Sequence, residues 1–277
     1  RGVNRLNSNG SFTRFELNIN EPQKGPSSNH VLQLLEDVRG DIWLATFGGG
    51  LSLYNPEQDS FTHIKHGDTK PNSISSDLAW IIFEDRELNI WVGTQASGMN
   101  IISNQNLKAK NYTFRQLNAK HGMKSMAVYG ITQDLSDNIW FSTSKGISRY
   151  SLAEESFKHF DLTHGLVDLE YTHSSVLLGE DNTLYFGAGK GISAVNPNRI
   201  NTSQAAPKVH LTNILNLNEP ISVEGSISNL SELTLEYYDR LISFEYVGLN
   251  YSNPESTKYK YRLLGFDQEW IDAGKSR

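Results

Sequence analysis

One short stretch returns four times along this chain, and the spacing of its returns leaves few folds open. It reads EDVRGDIWLATFGGG at 36–50, EDRELNIWVGTQASG at 84–98, QDLSDNIWFSTSKG at 133–146 and, shortened, EDNTLYFGAGKG at 180–191. Its aromatic residue falls at Trp43, Trp91, Trp140 and Tyr185, in steps of 48, 49 and 45 residues. Its closing glycine falls at Gly50, Gly98, Gly146 and Gly191, in steps of 48, 48 and 45, and Gly2 lies 48 before the first. Two independent markers that keep one period identify a repeat architecture.

Each unit contains four short runs of strand character. In the second unit, 78–83 is apolar between turn residues, 90–94 and 99–102 follow across short turns, and 112–117 alternates as a half-buried outer strand does. Four antiparallel strands in such a length make one propeller blade, which buries its faces only by stacking on neighbours. The expected blades lie near 30–64, 78–117, 127–160 and 174–200, after a partial blade in 1–17. Because GVNRL at 2–6 matches a third strand and FTRF at 12–15 a fourth, the chain reads as part of a longer polypeptide.

The recurring residues have scaffold roles. A mid-strand Trp fills the space between sheets. Thr46, Thr94 and Thr143 stand on the opposite strand face, where a hydroxyl can bond to a turn or a neighbour. Asp37, Asp85 and Asp134 open a turn whose backbone N–H groups a carboxylate can accept. The neighbouring acids Glu36-Asp37, Glu84-Asp85 and Glu180-Asp181 resemble acid/base pairs. Adjacent strand residues point to opposite faces, however, and a catalytic pair is needed only once.

Beyond 200 the rhythm stops. NTSQAA at 201–206 reads as a linker, and strands are expected at 208–215, 233–236, 241–247 and 258–263. This spacing fits an immunoglobulin- or fibronectin-like β-sandwich, shortened at its C-terminal end, in 204–277, after propeller blades in 1–203. The fold class expected is therefore all-β.

Composition removes several functions. The formal charge of -6 and the lack of a basic stripe argue against nucleic acid as partner. The absence of cysteine excludes disulfides and thiolate chemistry. No membrane-spanning run appears, so any membrane attachment is expected from segments outside this chain. No histidine or carboxylate spacing suits a metal, and His63, His66, His164 and His173 read as surface loop residues. No cofactor is expected, and neither a nucleophile elbow nor a phosphate loop is present.

The pattern at 36–51 resembles the two-component regulator propeller repeat. The later segment, with PKVHLT at 207–212, FEYVGLNY at 244–251 and YKYRLLGFD at 259–267, resembles the Y_Y_Y domain that follows such propellers. The resemblance implies the periplasmic sensor region of a bacterial hybrid histidine kinase or diguanylate cyclase. It implies a small-molecule ligand, often an oligosaccharide, and a homodimer formed through the sandwich in the full receptor. The repeat motif carries no ligand residues, so candidates come from topology alone.

In a propeller, the loops joining second to third strands and the entries of inner strands share one rim. Phe47, Gln95, Lys145 and Lys190 stand on the short loops. Asn29, His30, Trp80, Tyr129, Tyr171 and His173 stand near inner-strand entries. Aromatic faces stack on sugar rings while amide, amine and imidazole groups bond to hydroxyls, a mixture suited to a polar ligand. Two other readings are a carbohydrate-active propeller enzyme, for which Asp168, Glu170 and Tyr171 are the compact candidate set, and a plain interaction scaffold.

Overall fold

In the computed structural model, which describes residues 2–70, 72–200, 208–223, 226, 227, 230, 232–237, 239, 241–249 and 257–274, each copy of the repeat is an antiparallel sheet in chain order. A hairpin of β1 (Val3–Leu6) and β2 (Phe12–Phe15) comes first. The first full sheet is β3 (Val31–Glu36), β4 (Ile42–Thr46), β5 (Gly50–Asn55) and β6 (Ser60–Ile64). The second is β7 (Ala79–Glu84), β8 (Ile90–Thr94), β9 (Met99–Ile102) and β10 (Arg115–Leu117), with helix α1 (Asn104–Lys108) between its last two strands. The third is β11 (Val128–Gln133), β12 (Ile139–Thr143), β13 (Gly146–Ser151) and β14 (Ser156–Phe160). The fourth has three strands, β15 (Tyr171–Leu178), β16 (Leu184–Ala188) and β17 (Gly191–Val195). Residues 1–200 form one compact unit and 201–277 another.

The tryptophans occupy like surroundings. Trp43 is buried in a cluster shared by sheets one and two, Trp91 in one shared by two and three, and Trp140 in one shared by three and four. Each indole Nε1 donates to the aspartate six residues earlier: Trp43 to Asp37 at 3.0 Å, Trp91 to Asp85 at 2.7 Å and Trp140 to Asp134 at 2.7 Å. The other carboxylate oxygen accepts two turn N–H groups, those of Arg39 and Asp41, Glu87 and Asn89, or Ser136 and Asn138. One aspartate thus closes the turn and satisfies the one polar atom of a buried indole, whose burial is worth at most roughly 5 kcal/mol.

The residue before that aspartate ties sheet to sheet. Glu84 Oε2 accepts the Val38 N–H of the preceding sheet at 3.0 Å, and Gln133 Oε1 accepts that of Arg86 at 2.9 Å. The recurrent acidic pair is therefore a turn anchor plus a clamp. Sheet four departs from the pattern. Gly179, whose N–H donates to Thr183 O as that of Asp134 does to Asn138 O, takes the aspartate position, so the sequence pairing of Asp181 with Asp134 is corrected. Asn182 accepts from Leu135 N in place of the Glu or Gln. Tyr185 has a glycine, Gly179, six residues before it where the tryptophans have their aspartate, and is 38% exposed.

The glycine before or at the start of β1, β5, β9 and β13 is required by close approach, whereas a Cβ on Gly191 of sheet four would meet open space. Gly2, Gly50, Gly98 and Gly146 have φ between 70° and 100°, and a Cβ on each would lie 2.1–2.4 Å from the carbonyl of Phe15, Ile64, Leu117 or Phe160. The hydroxyls of Thr46, Thr94 and Thr143 donate to Gly50, Gly98 and Gly146 carbonyls at 2.8–2.9 Å, so the threonine bonds within its own hairpin.

Three expectations are corrected. The outer strand of sheet two is shorter than 112–117, because Ser103 caps α1 by accepting the Asn106 N–H and the chain makes a helical detour first. The fourth sheet begins at Tyr171, not 174, and lacks a fourth strand among the described residues. Residues 233–236 make no ladder: their alternation is brief, and Leu235 stays exposed.

The second unit has a sheet of order β19 (Glu219–Pro220), β18 (Val209–Asn216), β20 (Ile242–Gly248) and a hairpin of β21 (Tyr259–Tyr261) and β22 (Ile271–Gly274). Tyr259 joins them, its ring 5.0 Å from that of Tyr246 and its hydroxyl accepting the Gly248 N–H at 3.0 Å. The molecule is all-β, propeller blades followed in sequence by a β-sandwich.

Candidate functional site

The inner strands β3, β7, β11 and β15 share an irregularity that the repeat alone does not reveal. Their pairing with the second strand slips between Val31 and Gln33, Ala79 and Ile81, Val128 and Gly130, and Tyr171 and Val176. The bulged residues are Leu32, Trp80, Tyr129 and, in a longer excursion, 172–175. A bulge re-aims its side chain and breaks the ladder locally, a device common beside binding sites.

The bulges bring three predicted residues together. The Trp80 and Tyr129 rings stack, with centroids 5.4 Å apart at 24°, and the His173 ring meets Trp80 edge-on at 5.7 Å. His173 Nε2 lies 2.7 Å from the Trp80 carbonyl, an acceptor only, so Nε2 carries the proton. In the neutral ring Nδ1 then accepts the Ser174 hydroxyl, 2.9 Å away. Ser174 adopts a φ of 56°, which lets the excursion fold back. Gly130 permits the approach of β11 to β15, since a Cβ there would sit 3.2 Å from Val176. His173, expected on a loop, is a strand residue linking sheets two and four, and all three rings are half-buried.

The other candidates stand on separate strands and turns. Phe47, 44% exposed, and Gln95 follow the second strands of their sheets, and their N–H groups donate to His30 O and Leu78 O. Lys145 is exposed, with its N–H on Thr143 Oγ1. Lys190 reaches Asp168 at 3.5 Å. Tyr171 is corrected: it is 6% exposed within the core, and its hydroxyl is spent on Ser193 at 2.7 Å. The longer bulge aims His173, not Tyr171, toward Trp80. Asn29 and His30 serve connections, Asn29 Oδ1 accepting from Leu17 N and His30 O from Phe47 N.

Acid/base chemistry finds little here. The Leu169 N–H bond holds the Asp168 carboxyl below its ordinary value, against the opposing effect of burial and with help from Glu170 N–H and Lys190. A general acid needs the reverse shift. Ser148 Oγ lies 2.7 Å from His159 Nδ1, the geometry of a nucleophile and base. But Ser148 is buried, His159 Nε2 faces the Gly122 carbonyl at 2.9 Å, and Ser52 and His63 pair in the same register of sheet one, with His63 on the Gly25 carbonyl. The pair anchors connections. His63 is accordingly a half-buried strand residue, not a surface loop residue. Among the described residues no three His, Cys, Asp or Glu side chains are grouped to hold a metal, and no helix is long and apolar enough to cross a membrane.

A side cleft was not legible in the sequence. The α1 detour walls a depression lined by Asn72, Asn106, Arg115, Gln116, Tyr150 and Glu155. Its polar groups largely bond to one another or to backbone: Arg115 to Glu155 at 2.7 Å, Asn106 to Thr113 and Gln116 to Ser73 O.

Comparison with known proteins agrees with this architecture. The family model for the Two component regulator propeller matches residues 25–48, and that for the Y_Y_Y domain matches 250–277. Histidine kinase P4 of Formosa agariphila is 29% identical over 280 residues, covering 83% of this chain and 20% of that protein. The chain thus spans a fifth of this relative's length. Among solved structures, an extracellular domain assigned to a hybrid two component system of B. thetaiotaomicron matches with a TM-score of 0.60 at 18% identity, over 99% of this chain and 48% of that one. The virginiamycin B lyase of Staphylococcus aureus matches with a TM-score of 0.51 at 15% identity, over 72% of this chain and 61% of that one. At these identities the likeness is one of fold.

Proposed function

We propose that this chain, a two component regulator propeller followed by a Y_Y_Y domain, is the ligand-binding part of the periplasmic sensor region of a bacterial membrane receptor. The propeller, 1–203, takes an oligosaccharide, and the sandwich, 204–277, couples it to the membrane and pairs with a second copy in the full receptor. The output, kinase or cyclase, belongs to the whole protein. The observation that carries this reading is the convergence of Trp80, Tyr129 and His173 on three inner strands. Bulges present these rings at the rim, where a sugar face can stack, and the rim loops add Phe47, Gln95, Lys145 and Lys190 as contacts. The reading is non-catalytic, since Asp168 and Tyr171 are both committed to structural partners.

The test is calorimetric titration of the purified chain with a panel of plant and algal oligosaccharides, followed by product analysis. Saturable binding with intact sugar is expected, and W80A and Y129A should each weaken it by about tenfold, as the loss of a stacked aromatic implies. Release of shorter sugars would favour a carbohydrate-active enzyme instead. Binding untouched by both substitutions would remove the site from the axis.

A further inference from the structure

Each tryptophan stands in a cross-strand row with two side chains farther out on the same face. The row is Trp43, Leu53 and Thr62 in sheet one, Trp91, Ile101 and Arg115 in sheet two, and Trp140, Arg149 and Lys158 in sheet three. Sheet three thus sets two cations directly opposite each other, a pairing that destabilises a ladder unless something neutralises it. The Arg149 guanidinium carbon lies 5.9 Å from the Trp140 ring centroid and Lys158 Nζ 5.6 Å from that of Phe160, so both are on the face shared with sheet four. Both side chains are half-buried, neither makes an ion pair among the described residues, and Arg149 Nε is buried without an acceptor. Burial, and after it the charge of Arg149, holds the Lys158 ammonium below its ordinary value.

We propose that Arg149 and Lys158 form a binding site for a dissolved oxyanion, a carboxylate or a sulfate, on the outer strands of the propeller and distinct from the three rings on its inner strands. The same molecule shows what a cation in this row takes. Arg5, three residues after Gly2 as Arg149 is after Gly146, donates to the Tyr54 hydroxyl and to Asp59 Oδ1 at 2.8 Å. Arg115, the counterpart of Lys158, donates to the Tyr150 hydroxyl at 3.2 Å and to Glu155 Oε1 at 2.7 Å. In both cases the tyrosine stands four residues, and the acid nine, after the glycine of the following sheet, Gly50 or Gly146. Counted from Gly191, those two places in sheet four hold Val195 and Ile200, which pack as apolar side chains against the shared core. Both acceptors are thus replaced, while the cation is kept and a second one is added. The group that completes the site carries negative charge and more than one oxygen, so that it accepts from Arg149 Nε and from the Lys158 ammonium together.

The test follows the Arg149 Nε–H signal by NMR in the full chain, assigned by its loss in R149K, while sodium acetate or sodium sulfate replaces sodium chloride at constant ionic strength. A saturable shift with acetate, sulfate or both is expected, with a Tm that rises as the site fills, and no such shift when chloride alone is varied. The salt that saturates at the lower concentration tells a carboxylate site from a sulfate site. Read by Tm, R149K and K158M should each weaken binding by about tenfold, as the loss of a charge-assisted bond implies. R149M should hold or raise the Tm in chloride, because it removes the like-charge pair and keeps an unbranched chain over Trp140. Should R149M not fold, K158M gives the same comparison. E155A, at an exposed residue, empties the filled site of Arg115 and should make that site respond to acetate as Arg149 does. Equal shifts in all three salts, a response to E155A where the unaltered chain shows none, an oxyanion effect untouched by R149K and K158M (an adventitious ion only), or a Tm in chloride lowered by both R149M and K158M would overturn the assignment.

Discussion

Asp85 shows how much one carboxylate organises. It accepts the Trp91 indole, the Glu87 and Asn89 backbone N–H groups and the Asn89 amide, and it is buried. D85A leaves these donors unpaired in a dry site, so it should cost about 3 kcal/mol in urea unfolding, while a loss below a few tenths would show that water replaces it. Glu84 beside it behaves differently. Partial burial raises its pKa, opposed by the Val38 N–H bond and increased by Asp37. With the folded value above the unfolded one, its contribution is fully present below the ordinary carboxylate range and is lost as pH rises through the folded value. At pH 7 the half-buried charge is therefore a cost that an amide avoids, and Gln133 makes the same clamp without it. Arg39, also paired with Glu84, keeps Asp37 at 2.7 Å. E84Q is expected to hold or raise the melting temperature at pH 7, by at most about 2 °C, the difference closing below pH 4. A lower melting temperature for E84Q at pH 7 that recovers in acid would reverse this sign.

At the scale of the element, the hairpin joining second and third strands is set by one glycine. Gly98 combines a φ of 78° with the Leu117 carbonyl 2.2 Å from any added Cβ, so G98A must move either β9 or β10. A loss of about 2 kcal/mol or more is expected by thermal melting, larger than for G165A, whose Cβ would meet open space. Equal losses at the two glycines would mean that backbone strain alone, without the steric clash, sets the cost. The strands themselves were legible because period-two alternation and turn residues are local signals. Helix α1 was not, since it depends on a five-residue run whose only mark is the Ser103 cap. Nor were the bulges: Trp80 and Tyr129 look like ordinary alternating residues, and their displacement appears only against the partner strand.

Across the first unit, stability is a chain of neighbour-to-neighbour interfaces, each with a Trp, its aspartate and a clamp. The D85A defect should accordingly raise exchange in sheets two and three and leave β15–β17 little changed; uniform loss of protection would instead indicate a single cooperative block. The period, the fold class, the buried tryptophans and the left-handed glycines were written in the sequence, because each repeat encodes its own turns and its own interface. The sequence also named Trp80, Tyr129 and His173, though among residues that do not meet them. Which rings converge, that Tyr171 is core, and that Glu84 and Gln133 reach back to the sheet before were decided by tertiary structure. A bulge shows only in the register against the partner strand, and a cross-sheet bond joins segments 46 or 47 residues apart, so no local pattern records them.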